Sequence, residues 1–104
     1  MSPSALLLAA ADRIRDLAAA AAPGPWTLYG RGVCWEIPEL PEMHDGLSGF
    51  REVDARWIVA MSPVIAPALE QWLRDEAREV RSHEEYLNPE WAALRLARLL
   101  VGVE

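Results

Sequence analysis

The chain contains no lysine and one cysteine, one phenylalanine and two histidines in 104 residues. Each scarcity excludes something. A single thiol, Cys34, cannot form an intrachain disulfide, so packing alone has to hold the fold, as expected in a reducing compartment. Two histidines and one cysteine give no Cys-x-x-Cys pair and no H-E-x-x-H, the spacings that place metal ligands together. His44, Asp45, Glu42 and His83 are the residue types a metal would need, but their spacing follows no ligand pattern. No metal and no cofactor is expected. Ten arginines face sixteen acids, a net charge of −6, which argues against a non-specific nucleic-acid footprint. The apolar run Ala5–Ala11 is broken by Asp12, Arg13, Arg15 and Asp16, and no basic residue precedes it. It reads as neither a signal peptide nor a membrane span, and a cytoplasmic protein is expected.

What is present is 52% hydrophobic residues, enough for one small domain over 1–104. Ser2-Pro3 supplies an N-cap and a first-turn proline. Leu7, Ala11, Ile14, Ala18 and Ala21 recur at helical spacing, with Leu6, Ala10 and Leu17 beside them, which predicts a helix over 3–22. Pro23-Gly24-Pro25 stops it. Trp26–Tyr29 and Val33–Ile37 flank Gly30-Arg31-Gly32, the pattern of a β-hairpin over 26–37. Residues 38–53 hold Pro38, Pro41, Gly46 and Gly49 without clear periodicity and read as an acidic loop, with a third short strand near Phe50–Val53. A helical part over 54–102 follows. Asp54 caps a short helix burying Trp57, Ile58 and Met61. Ser62-Pro63 opens a longer helix with Ile65, Leu69, Trp72, Leu73, Val80 and Leu87 on one stripe. Asn88-Pro89 opens the last, with Trp91, Leu94, Leu96, Leu99 and Leu100 inward and Gly102 ending it. Glu70 with Arg74, and Asp75 with Arg78, are spaced to pair. The class is α+β: a long N-terminal helix, a β-hairpin or small three-stranded antiparallel sheet, and C-terminal helices packed on one face. Trp26, Trp57 and Trp72 are expected in the core.

Candidates for chemistry are few. Cys34 lies between Val33 and Trp35 with no histidine in the pattern, so a buried structural thiol is expected. Ser48 is not in a G-x-S-x-G elbow, and Gly30-Arg31-Gly32 leads into a strand rather than a helix, so it is no phosphate loop. An enzyme is therefore not expected. The strongest surface feature is the acidic stretch 36–54, where Glu36, Glu39, Glu42, Asp45, Glu52 and Asp54 face Arg51 alone and carry −5 of the −6. Such a run is either a solvated loop or a docking surface for a basic partner. The alternative is a small-molecule binder that uses Arg31, Arg51 or Arg56 on a nucleotide-like anion. Ala92, Leu96, Leu99 and Val103 extend the apolar band of the last helix, which predicts a homodimer through it.

Two blocks, Pro23-Gly24-Pro25-Trp26 and Asp54-Ala55-Arg56-Trp57-Ile58-Val59-Ala60-Met61-Ser62-Pro63, together resemble the small accessory proteins of phages and prophages, lambda-like and actinobacterial. In these an Ala-rich helix ends in a P-G-P-W turn, a variable β segment follows, and a D-A-x-aromatic-I-A block leads through a proline into a helix. The resemblance covers about residues 5–75. Ala22 stands where threonine is expected, Trp57 where phenylalanine or tyrosine is usual, and Met61-Ser62 where small or amide residues are common. Arginine and alanine without lysine match the codon usage of a high-GC, actinobacterial genome. The resemblance implies a phage or prophage context and a non-essential accessory role; within it, a non-enzymatic protein that binds a host or phage protein is expected. It supplies no catalytic residue, because the family has no established activity.

Overall fold

A computed structural model describes residues 1–22, 24–37, 40–82, 88 and 91–102, with the side chains of 37 and 40–44 left aside. The chain is α+β: helices and a three-stranded antiparallel sheet, in the order α1 (Pro3–Ala20), β1 (Thr27–Tyr29), β2 (Gly32–Ile37), β3 (Leu40–Leu47), α2 (Glu52–Ala60), a 3₁₀ turn (Pro63–Ile65), α3 (Ala66–Arg81) and α4 (Ala92–Val101). It divides into two compact units. Met1–Leu17 and Pro67–Glu104 form a helical one, and Ala18–Ala66 form one built on the sheet.

In the helical unit, Ser2 Oγ accepts the amide of Ala5 at 3.2 Å, so the expected N-cap starts α1. Leu6, Leu7, Ala10, Ala11 and Ile14 are buried, while Leu17 is half exposed. α3 buries Leu73, Ala77 and Val80, and α4 buries Ala93, Leu94 and Ala97. Two expected core residues lie outside. Leu99 is 70% exposed and Trp72 is 38% exposed. Trp72 sits beside the inward Leu73, and Leu99 lies two residues past the inward Ala97. Once Leu73 and the Ala93/Ala97 row face inward, the 100° step per residue turns Trp72 and Leu99 away. Trp91 is half-buried and is the N-cap of α4 rather than part of its first turn. Gly102 caps the helix at φ 82°, with its amide on the Arg98 carbonyl at 2.9 Å. Leu87, Pro89 and Val103 lie outside the described residues.

In the sheet unit, β1 and β2 are joined by Gly30-Arg31. Gly30 has φ 61° and Arg31 does not have a positive φ, the pattern of a type II′ hairpin turn. The long loop and the strand near Phe50 both need correction. β3 occupies Leu40–Leu47 and pairs with β2, whereas Phe50 is irregular and Glu52-Val53 are already helical. Proline and glycine hid this strand. Pro41 is tolerated because β3 is an edge strand.

α2 starts two residues earlier than expected, with Arg51 as N-cap. Asp54 caps nothing, because Arg51 holds its carboxylate at 2.9 and 3.2 Å. α2 packs against β1 and β2. It buries Ala55 and half-buries Ile58 and Val59, an i, i+3, i+4 row. Trp57 falls on the opposite side and is 67% exposed, and Met61 is also exposed, so neither is core. The expected restart at Ser62-Pro63 is present, first as the 3₁₀ turn and then as α3.

The expected Glu70–Arg74 and Asp75–Arg78 pairs both form. Arg74 also reaches Asp12 of α1 at 2.8 Å and thereby ties two elements of the helical unit together. This hydrogen bond, opposed by slight desolvation and helped by Arg15, holds the Asp12 carboxyl below its ordinary range. A lowered folded-state pKa means that the tie stabilises at pH values above the ordinary aspartate range and is lost as pH falls through the lowered one. Urea titration of the wild type and Asp12→Asn from neutral pH to about pH 2 should show a small gap favouring wild type, since the pair is exposed, that closes on acidification. A gap that persists at acid pH contradicts the assignment.

Candidate functional site

The sheet is the part of the structure that gathers the residues singled out by their chemistry. Its register places Val33 opposite Leu28 and Leu47, and Trp35 opposite Asp45, on one face. Val33 is buried at its centre, while Leu28 and Leu47 on either side are exposed, so this face is covered only around β2. Trp26 lies against Trp35, with ring centroids 5.3 Å apart and the planes tilted by 35°. The Trp26 indole donates to the Ala22 carbonyl at 2.9 Å. In a continued helix that acceptor would take the backbone amide of residue 26. With α1 ended at Ala20, the side chain of the same residue takes its place.

The other face carries Thr27, Tyr29, Cys34 and Glu36, with Gly32 and Gly46 between them in the ladder. Thr27, Glu36 and Gly46 are exposed, and Tyr29 is 82% exposed. A shallow cleft of about 230 Å³ opens here, lined by Tyr29, Cys34, Gly46 and their neighbours. The glycines are required by the strands themselves. A Cβ on Gly46 would stand 2.5 Å from the Val33 carbonyl oxygen, and one on Gly32 would stand 2.6 Å from that of Leu47. Cys34 is half-buried, with its sulfur 3.2 Å from the Thr27 hydroxyl. The thiol is therefore not the buried one that the sequence predicts.

The described acids of the stretch are not collected into one patch. By register Glu36 lies on the open face and Asp45 on the covered one, where Asp45 is nonetheless exposed and accepts the Gly46 amide at 2.8 Å. Glu52 is on α2 and paired with Arg56, and Asp54 is paired with Arg51. Glu39 and His83 lie outside the described residues, as do the side chains of Glu42 and His44. The three arginines of the anion-binding alternative are likewise engaged. Arg51 and Arg56 hold carboxylates, and Arg31 Nε donates to the Phe50 carbonyl at 3.2 Å. Among the described residues no group of three or more His, Cys, Asp or Glu is placed to hold a metal ion. No described helix is long and apolar enough to cross a membrane.

Tyr29 was not singled out by sequence reasoning, although strand alternation already sets it opposite Leu28. Val53 was missed because Asp54 looked like the helix start. No family model matches the chain, and comparison with curated proteins and with solved structures finds no match.

The glycine contacts give a direct test of the ladder. Gly46→Ala should destabilise by about 1–3 kcal/mol, the usual cost of forcing a methyl group into filled space, read as a lower urea midpoint at unchanged slope. A variant as stable as wild type would mean that β3 does not approach β2 as described.

Proposed function

We propose that this is a non-enzymatic binding protein that acts by docking another protein on the open face of its sheet. The observation that carries the reading is Tyr29, almost fully exposed on a strand, with exposed Thr27 and Glu36 on the same face. A rigid aromatic held on a strand supplies contact area at little entropic cost and is the commonest kind of interface anchor. Glu36 adds a negative charge to that face, and the chain as a whole carries −6, which favours a basic partner by steering its approach. The cleft beside Tyr29 is smaller than sites that enclose drug-sized ligands, so it suits a protruding side chain better than a nucleotide. The resemblance of the P-G-P-W and D-A-x-aromatic-I blocks adds the setting: a phage or prophage accessory protein whose partner is a host or phage protein.

The test is affinity capture from an actinobacterial host lysate, followed by kinetics with the captured partner. Tyr29→Ala should weaken binding at least tenfold, mainly through faster dissociation. Glu36→Gln should slow association and reduce its salt dependence. Both side chains are exposed, so thermal unfolding should be unchanged. Capture that is indifferent to both substitutions would refute this face as the docking surface.

A further inference from the structure

Helix α2 has a second surface that the sheet does not use. Val53, Trp57 and Met61, spaced i, i+4, i+8, are all exposed, and Ala60 is exposed between them. Together they leave on the order of 400 Å² of apolar surface in water, the size at which a patch on a monomer is often an interaction site. The charges around it cancel. Arg51 is bound to Asp54 and Arg56 to Glu52, so residues 51–61 carry two positive and two negative charges in a chain of net −6.

We infer that this stripe is a homodimer contact, occupied by α2 of a second copy. A basic partner finds no net acid here, and an acidic partner finds no net base. A second copy brings a matching apolar stripe with an equally neutral rim, so the like charge of the two chains is kept away from the contact. The spacing is also self-complementary. About a two-fold axis through Trp57 with the helices antiparallel, Trp57 meets Trp57 of the second copy and Val53 meets its Met61. Two stripes would bury about 800 Å² of apolar area, and the paired charges at the rim bring the total to about 1,200 Å², the lower end of specific interfaces. The dimer is therefore weak and concentration-dependent. It differs from the contact through the last helix suggested by Leu96 and Leu99, and it does not depend on the partner-binding reading, whose residues lie on the sheet.

Sedimentation equilibrium of the full chain from about 1 µM to about 0.5 mM should show the average mass rising from one chain towards two. Trp57→Ser should weaken the dimer at least tenfold, and Met61→Gln should also weaken it, each with an unchanged far-UV circular dichroism spectrum. Raising the salt from about 50 mM to about 500 mM should leave the dimer as strong or stronger, because it screens only the repulsion between the two chains. A chain that stays monomeric at the highest concentration overturns the proposal. So does a dimer that survives both α2 substitutions but is lost in Leu99→Ser, or one that salt dissociates. Because dimerisation is read on the isolated protein, its failure is distinguishable from a failure of Tyr29-dependent capture.

Discussion

Close approach of strand to strand, made possible by residues without a side chain, is the constraint on which the sheet unit depends. Among the described residues, half of the buried apolar side chains are alanines: Ala10, Ala11, Ala55, Ala66, Ala77, Ala93 and Ala97. In the sheet, Gly32 and Gly46 stand where a Cβ would lie within about 2.6 Å of a neighbouring carbonyl oxygen. The larger fully buried apolar side chains are Leu7, Leu73 and Val80 in the helical unit and Val33 in the sheet unit, and no indole is among them. The tryptophans lie at the margins. Trp26, Trp35 and Trp91 are half-buried, and Trp57 and Trp72 are exposed. Large aromatics that a bigger domain would bury become surface features here.

The same economy governs the charges. All seven ion pairs of the described structure use arginine. Its planar fork lets Arg74 hold Glu70 within α3 and Asp12 on α1 at once, so one side chain stitches a helix internally and ties it to another. Near α2 the arginines neutralise instead: Arg51 pairs with Asp54 and Arg56 with Glu52, so the C-terminal part of the acidic stretch carries no net charge. Glu36 and Asp45 are left as the exposed acids of the described ladder, on opposite faces.

Much of the element order is legible in the sequence. Ser2, Gly30 and Gly102 act locally, through a side-chain cap or a positive φ, while Pro63 opens the 3₁₀ turn without a side-chain cap from Ser62. The failures share a cause. β3 is hidden because Pro41 and Gly46 are unfavourable in an isolated strand and acceptable only at an edge, beside β2. Asp54 has the right chemistry for a cap, but a guanidinium three residues away outcompetes the backbone amides for its carboxylate.

By itself the sequence determined the class of the fold, where α1 begins and α4 ends, and the lack of an intrachain disulfide, because an N-cap serine, a glycine and a lone cysteine act within a few residues. Only the tertiary structure decided which of two apolar residues, one or two positions apart, turns inward. It chose Leu73 over Trp72, Ala93 and Ala97 over Leu99, and Ala55 over Trp57. A helical period defines a face to within about one residue, and the neighbour packed against it selects the side chain that fits. Where α2 packs on β1 and β2, the small Ala55 goes in and the large Trp57 stays in water.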